Sequence, residues 1–411
     1  MDRIILHSDC NNFFASVESV ARPELKNFPV AVAGAKESRH GIILAKNEIA
    51  KKFGVKTAEP IWQAKKKCPN LVTVPPHHEL YKEYSEKINK IYIDYTDQVE
   101  KFSIDESWLD VTGSVRLFGD GKTIADTIRE RVKRELGISV SIGVSFNKIF
   151  AKFGSDYKKP DATTVISREN YRDILYPLPV SDMIYVGKSA FETLAKCNIK
   201  TIGDLAAANP VILEKKLGKS AFMLVKYARG EDDEPVKAFY EKRETKSIGK
   251  GMTFSRNLVS RDDIAKGVMA LANNIARQMR EKDLKCQTVC VHIKDAELKT
   301  ISRQKTLAKP TYLAKDIFEV AMELVADNWK TEKPIRMLTV TGTNFAQEGA
   351  GVQMSIFDDD EQDIKEKRRE SLERAIDKIR ATYGLGSVLN ASVLDNDIGI
   401  NYREEEEETD C

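Results

Sequence analysis

The sequence predicts an α/β protein of several domains, and three observations carry that prediction. At 411 residues the chain is too long for one hydrophobic core, since single cores stop growing near about 250–300 residues. Short apolar runs of strand-like composition alternate with segments whose apolar residues recur every three or four positions, as on a helix. The charge is also divided. Residues 346–411 hold 8 Lys/Arg against 18 Asp/Glu, while residues 1–345 hold 57 against 45. A basic body with an acidic tail suits a nucleic-acid binder that carries a separate polar segment.

The elements follow in chain order. Residues 1–15 and 73–166 alternate strand and helix patterns and should form one sheet. Its clearest helix spans 122–136, where Ile124, Ile128, Val132 and Leu136 recur every four residues. Residues 16–72 interrupt this pattern as an insertion. Residues 167–236 read as helical, and Ala228 to Val236 is a polar break. From Lys246 the pattern runs strand, helix (260–281), strand (287–294), strand (298–307), helix (312–329), strand (335–341), a β-α-β-β-α-β order. Residues 241–345 carry 20 basic and 13 acidic residues, a composition for contacting phosphate. A further amphipathic helix is predicted over 361–383, with Ile364, Leu372, Ile376, Ile379 and Tyr383 on its apolar side, and the acidic run 404–408 is too polar to fold.

Composition narrows the classes further. No apolar run approaches the about 18 residues of a membrane span, and no basic-then-apolar signal opens the chain. The six cysteines are scattered, and Cys286 and Cys290 lack a second pair at zinc spacing. His77 and His78 follow two prolines and read as loop. A reduced, cytoplasmic setting and no membrane partner are expected.

The most informative stretch is Ser103-Ile104-Asp105-Glu106-Ser107, two adjacent carboxylates between apolar strand patterns. Side chains alternate along a strand, so the pair can converge on one site only at the reversal of a hairpin. Alone it reads as a solvated turn. A third acid, Asp9, ends the apolar opening run and continues Cys10-Asn11-Asn12-Phe13-Phe14. Ser145-Phe146-Asn147-Lys148-Ile149-Phe150-Ala151-Lys152 and Asp156-Tyr157-Lys158-Lys159-Pro160 follow. In order and spacing these blocks resemble the palm motifs of the Y-family, the bacterial translesion DNA polymerases of the ImpB/MucB/SamB group, over at least residues 1–345.

The resemblance implies a right-hand polymerase with the palm at 1–15 and 73–166 and the fingers at 16–72. The thumb falls at 167–236, the little finger at 241–345 and a C-terminal tail at 346–411. It implies nucleotidyl transfer from dNTPs to a primer 3′-hydroxyl on template DNA, error-prone and without proofreading, since no exonuclease segment is recognisable. Two Mg²⁺ ions about 3.5–4 Å apart stabilise the attacking and leaving oxygens of such a displacement, with Mn²⁺ able to substitute. Asp9 and Asp105 then bridge both ions, Glu106 holds the one that activates the hydroxyl, and the Cys10 carbonyl helps bind the nucleotide metal. Lys159 matches the lysine that reaches the triphosphate, and Phe14 the steric gate that excludes a ribose 2′-hydroxyl. Asn12 lies beside the nucleotide, and Ile42 covers the nascent base pair.

Two departures stand out. The DNA polymerase IV branch carries a Tyr and an Arg in the fingers that bind the triphosphate, where this chain has Glu48 and Lys51, wording closer to the UmuC-like branch. Lys51 keeps the charge without the planar fork, and Glu48 is expected to point away or to pair with Lys51 or Lys52. In the thumb, Ile184-Tyr185-Val186-Gly187-Lys188 stands where a helix-hairpin-helix has Gly-Ile-Gly. Tyr185 replaces a glycine whose freedom at positive φ shapes that turn, leaving Gly187 for the phosphate. Lys250, Arg256, Arg303 and Lys305, on little-finger strands, are expected phosphate contacts.

The tail adds a partner. Gln353-Met354-Ser355-Ile356-Phe357, between glycines and three aspartates, resembles the pentapeptide by which bacterial polymerases dock on the sliding β clamp. Gln353 would fix register while Met354, Ile356 and Phe357 fill the pocket. The expected protein is thus a monomeric polymerase with primer-template DNA, dNTPs and the clamp as partners. A non-catalytic DNA- and clamp-binding repair subunit is the alternative, and a two-metal nuclease, which needs neither gate nor fingers, comes third.

Overall fold

A computed structural model describes residues 2–34, 41–241, 244–330, 333–346, 360–394 and 396–400. The chain forms two compact units that divide at residues 242–243. In the first, β1 (Ile5–Cys10) is buried along its whole length. Asn12, at φ 52, turns the backbone into α1 (Phe13–Ala21). β2 (Val30–Ala33), β3 (Ile43–Lys46), α2 (Glu48–Lys52), α3 (Ile61–Lys67) and β4 (Val72–Val74) then build a small layer. Its sheet runs β3-β2-β4 over a core of Ala31, Ile43, Ala50, Ala64 and Leu71.

α4 (His78–Ile93) leads to β5 (Val99–Lys101), a reversal over 102–105 and β6 (Glu106–Asp110). After the single turn of α5 (Val115–Phe118) comes α6 (Gly121–Leu136), within one residue of the helix expected there. Asp120 caps it by accepting from Thr123 N, and Gly137 ends it at φ 71. β7 (Val140–Ser145), α7 (Lys148–Tyr157) and β8 (Thr163–Ile166) complete a sheet of order β5-β6-β1-β7-β8. On one face Leu6, Leu109, Val140 and Ile142 join Ile88 of α4 and Ile128 of α6 in a core. On the other lies α7, so close that a Cβ on Gly143 would fall 1.9 Å from the Ala151 carbonyl oxygen. Only glycine lets the helix rest there.

α8 (Tyr171–Leu175), α9 (Lys188–Lys196), α10 (Ile202–Ala207), α11 (Pro210–Leu217) and α12 (Ser220–Ala228) follow. Their core includes Leu194, Leu205 and Leu224 and reaches Phe146 and Phe150.

In the second unit, β9 (Ser247–Leu258), α13 (Arg261–Glu281), β10 (Cys286–Asp295), β11 (Thr300–Thr311), α14 (Ala314–Asn328) and β12 (Ile335–Phe345) give the expected β-α-β-β-α-β order. The sheet runs β11-β10-β12-β9 with every pair antiparallel. Phe254, Val289, Val291, Leu338 and Val340 share one core with Val268, Ile275 and Ile317 of the two helices.

The last helix, α15 (Asp360–Tyr383), corrects an expectation. Ile364, Leu372, Ile379 and Tyr383 are exposed; the helix docks by ions instead. Arg280, buried, bonds Glu373 and Asp377, and Lys285 pairs with Glu370 at 2.6 Å. Glu373 also accepts from Ala314 N. A buried guanidinium needs carboxylates more than an apolar stripe needs cover, so the charged side of α15 wins the interface. Beyond it, Val393, Ile398 and Ile400 return to the core of this unit.

Candidate active site

The acids meet at the end of the first sheet. Asp9 lies directly opposite Glu106 in the β1–β6 register, so both side chains leave the sheet on one face. Asp105 sits in the reversal before β6, and its carbonyl accepts from Cys10 N at 3.1 Å. The hairpin that the acid pair required is therefore present. Its turn is held by Phe102 N and Ser103 N, which both donate to Glu106 O, and Ser103 Oγ donates to Asp105 Oδ1 at 2.6 Å.

α7 covers the same face, and its stripe of Lys152 and Ser155, continued by Lys159, reaches the acids. Lys159 Nζ lies 2.6 Å from Asp9 Oδ2 and 2.7 Å from Asp156 Oδ1. Lys152 Nζ lies 2.5 Å from Glu106 Oε2. Below them His7, fully buried, has Nδ1 2.8 Å from Ser155 Oγ. Its Nε2 lies 3.3 Å from Glu106 Oε2, within ion-pair reach but outside hydrogen-bond geometry. Sequence reading assigned no role to His7, Lys152 or Ser155. The i, i+3, i+7 spacing of Lys152, Ser155 and Lys159, a single helix face, was the available signal.

The two opposed acids differ in how strongly each holds its proton. Burial pushes the Asp9 carboxyl up to about 6, against the pull of Lys159. Burial also raises Glu106, but His7 and Lys152 outweigh it and hold that carboxyl at about 2. Burial lowers His7 to about 4, so the ring is neutral near pH 7. The Cys10 thiol is pushed well up, chiefly by burial, and stays protonated.

Phe14 lies in the first turn of α1. Phe13 is buried in the core, whereas the Phe14 ring stacks on Tyr81 with centroids 4.1 Å apart and planes at 12°. Tyr81 Oη donates to Glu18 Oε1 at 2.5 Å, and Glu18 also meets His77 Nδ1 at 2.7 Å and Arg22. His78 stands edge-on to both rings. The two histidines thus open α4 rather than lying in a loop. His77 precedes the helix, His78 begins it, and together with Tyr81 and Glu18 they back the Phe14 ring.

In the small layer, Glu48 Oε1 accepts from Asn12 Nδ2 at 2.9 Å and lies 3.5 Å from Lys51 Nζ. The expected pairing with Lys51 is present; the bond to Asn12 was not foreseen. Ile42 is 39% exposed, and Leu44 packs toward the core of the larger sheet. In the helical region Tyr185 does take φ 69, the left-handed backbone that a glycine would adopt freely. Gly187 precedes α9, which has no side-chain cap. The pentapeptide Gly-Lys-Ser-Ala-Phe occurs at 187–191, where it opens α9, and again at 218–222, where it joins α11 to α12.

The four residues expected to contact phosphate all lie on strands of the second unit, Lys250 and Arg256 on β9, Arg303 and Lys305 on β11. Lys250 pairs in register with Val340, and Arg303 and Lys305 with Val291 and Val289, so all three share the helix-covered parity of the sheet. Lys305 Nζ pairs with Glu323 at 2.6 Å, and Arg303 Nε donates to Asn328 Oδ1 at 2.9 Å. Arg256 bridges Asp263 and Asp397. Long basic side chains can leave a covered face at its rim, which hides the parity from a sequence reading. The open parity carries Ser302, Gln304, Lys294, Thr339 and Thr341. The peptide Gln353, Met354, Ile356 and Phe357 lies outside the described residues.

The donor set suits a hard divalent cation, which takes carboxylate and carbonyl oxygens. Among the described residues no three acid, His or Cys side chains close on one point; Glu106 and Asp9 pair separately with the ammonium groups of Lys152 and Lys159, and Asp105 accepts from the Ser103 hydroxyl. Positive charge therefore already stands where cations would, and the acids fit the role. Carboxylates on adjacent strand ends, facing a lysine-bearing helix and an aromatic shelf, are the equipment of a metal-dependent nucleotidyl-transfer enzyme.

Comparison with known proteins gives the family. Residues 8–156 match the impB/mucB/samB family and residues 245–356 the C-terminal domain of that family. DNA polymerase IV of Acetivibrio thermocellus is 44% identical, covering 98% of this chain and all of the relative. DNA polymerase IV 1 of Bacillus subtilis is 35% identical over 95% of this chain and 93% of its own length. Among solved structures, a Y-family polymerase chimera of Dbh and Dpo4 aligns with a TM-score of 0.74 at 27% identity, covering 83% of this chain and 99% of its own. An insertion ternary complex of Dbh DNA polymerase aligns at 0.60 with the same identity and the same two coverages. The chain belongs to the impB/mucB/samB family, the bacterial Y-family DNA polymerases. These relatives do not favour the non-catalytic alternative.

Proposed function

We infer that the protein is an error-prone, template-dependent DNA polymerase that extends primers past damaged template, with DNA and dNTPs as substrates. The observation that carries this is the opposition of Asp9 and Glu106 on adjacent strands, with Asp105 in the turn beside Cys10. Asp9, Asp105, Glu106 and the Cys10 carbonyl would hold two magnesium ions, which supply Lewis-acid stabilisation of the attacking and leaving oxygens. Lys152 pairs with Glu106 and keeps it ionised against the sheet. Lys159, now resting on Asp9, is the cation that meets the triphosphate and offsets its developing charge. Phe14, braced by Tyr81, takes the space beneath the sugar.

Palm, fingers, thumb and little finger correspond in this reading to 1–15 with 73–166, 16–72, 167–236 and 241–345. Gly187 and its neighbours hold the duplex by backbone N–H groups, and the hydroxyl-lined open face of the second sheet is suited to phosphate oxygens. The 353–357 peptide tethers the enzyme to the sliding clamp. No helix among the described residues is long and apolar enough to cross a membrane, and a cytoplasmic monomer is the working form. Primer extension with Mg²⁺ tests the whole reading: wild type should extend and Asp105→Ala/Glu106→Ala should not. Extension that persists in the double variant would remove the active-site assignment.

A further inference from the structure

The fingers departure is built into the structure more firmly than a surface ion pair. Asn47 fixes the start of α2 with three hydrogen bonds. Its Oδ1 accepts from Val30 N at 3.1 Å and Ala50 N at 2.9 Å, and its Nδ2 donates to Phe28 O at 2.8 Å. Glu48 follows directly, so its direction is set by a locked neighbour. Asn12 stands at φ 52 before α1 and makes no side-chain cap for that helix; its amide is spent on Glu48 instead. One carboxylate oxygen therefore joins the entrance of α1, two residues from Phe14, to the fingers cation Lys51.

A second cation feels the same carboxylate. Lys46 ends β3 and bonds Thr57 Oγ1 at 3.0 Å. Burial lowers its pKa first, Lys51 lowers it further, and Glu48 opposes both. Glu48 thus acts on both ammonium groups, and its side chain is 40% exposed, free to swing into water.

We propose that Glu48 is a resident counter-ion of the nucleotide site, which the incoming triphosphate displaces from Lys51. This rests on the nucleotide-site reading given above. A triphosphate and a carboxylate cannot share one exposed ammonium without repulsion, so binding must release Glu48 from Lys51. The release loosens its hold on Asn12 as well. With Lys51 partly masked at rest, nucleotide affinity is then set by residue 48 as well as by the cation itself.

Glu48→Gln separates charge from shape, because the amide oxygen still accepts from Asn12. Nucleotide affinity is read by fluorescence titration of dNTP into the enzyme on primer-template, with Ca²⁺ in place of Mg²⁺ to prevent turnover. Glu48→Gln should tighten binding about two- to five-fold, the range an exposed ion pair allows. Lys51→Ala should cost more affinity in the Glu48→Gln background than in wild type, because only there is the lysine unmasked. Unchanged or weakened binding in Glu48→Gln, or strictly additive effects of the two substitutions, would overturn the proposal. If wild type extends primers while Glu48→Gln binds as wild type does, only the counter-ion idea falls. If wild type neither binds dNTP nor extends, the nucleotide-site reading falls with it.

Discussion

Asp9 and Glu106 face each other across two strands, yet one carboxyl titrates near 6 and the other near 2. Both are raised by burial; only Glu106 has two bases of support, Lys152 beside it and His7 beneath it. The acids themselves were legible in sequence as an Asp and an Asp-Glu pair. Their unequal environments were not, because Lys152, Ser155 and His7 reach them from another element. The same holds for Phe14. Its place in the motif pointed to a gate, whereas the brace of Tyr81 and His77 comes from α4 and the residue before it, more than sixty residues away in sequence, with Glu18 of α1 tying the two together. Phe14→Ala should remove the ring and admit ribonucleotides, changing the dNTP/rNTP preference in primer extension by on the order of 10–100-fold. An unchanged preference would remove the gate assignment.

Between elements, the closest approach is α7 on β7. A methyl group at Gly143 meets the Ala151 carbonyl at 1.9 Å and cannot be accommodated by a side-chain rotation. Gly143→Ala should cost about 1–3 kcal/mol in urea unfolding and lower polymerase activity as well, since Lys152 and Ser155 ride on the displaced helix. A stability loss with full activity would show that α7 does not position the acids. In the second unit, Arg256 holds Asp263 at about 2, ahead of the opposing effect of burial. A depressed carboxyl stabilises the fold above its unfolded value near 3.8 and loses that contribution as pH falls toward 2. The stability gap between wild type and Asp263→Asn should therefore be constant above pH 4 and close between pH 4 and 2. A gap that stays open at pH 2 would assign the effect to shape alone. Here the strand and helix order was readable from periodicity, while the parity of Arg303 and Lys305 and the docking side of α15 were not. Arg280, the residue that decides how α15 binds, lies in α13.

For the molecule as a whole, the sequence divides a basic body from an acidic tail, and the peptide 353–357 lies near the start of that tail. Three apolar anchors in a polar stretch supply most of the energy of a small interface, and tethering at a clamp raises the local concentration of primer ends. Deleting 353–357 should abolish stimulation of synthesis by the clamp while leaving extension without the clamp intact. Equal stimulation of the deletion variant would end the clamp assignment. The second unit reaches past this peptide: residues 391–400 return three apolar side chains to its core, so the tail is partly structural and not merely a polar appendage.

By itself the sequence determined the class of architecture, the β-α-β-β-α-β order, the positions of the acids and of Phe14, and the two departures at Glu48 and Tyr185. These are local facts, set by residue type, periodicity and spacing along the chain. The tertiary structure alone decided which cations stand on which acids, what braces Phe14, and that Glu48 is shared between Asn12 and Lys51. It also decided that Tyr185 keeps a left-handed backbone. Apart from the local pair of Glu48 with Lys51 and the backbone angle of Tyr185, each of these depends on contacts between residues far apart in the chain, and neither alternation nor spacing specifies which side chain arrives from another element.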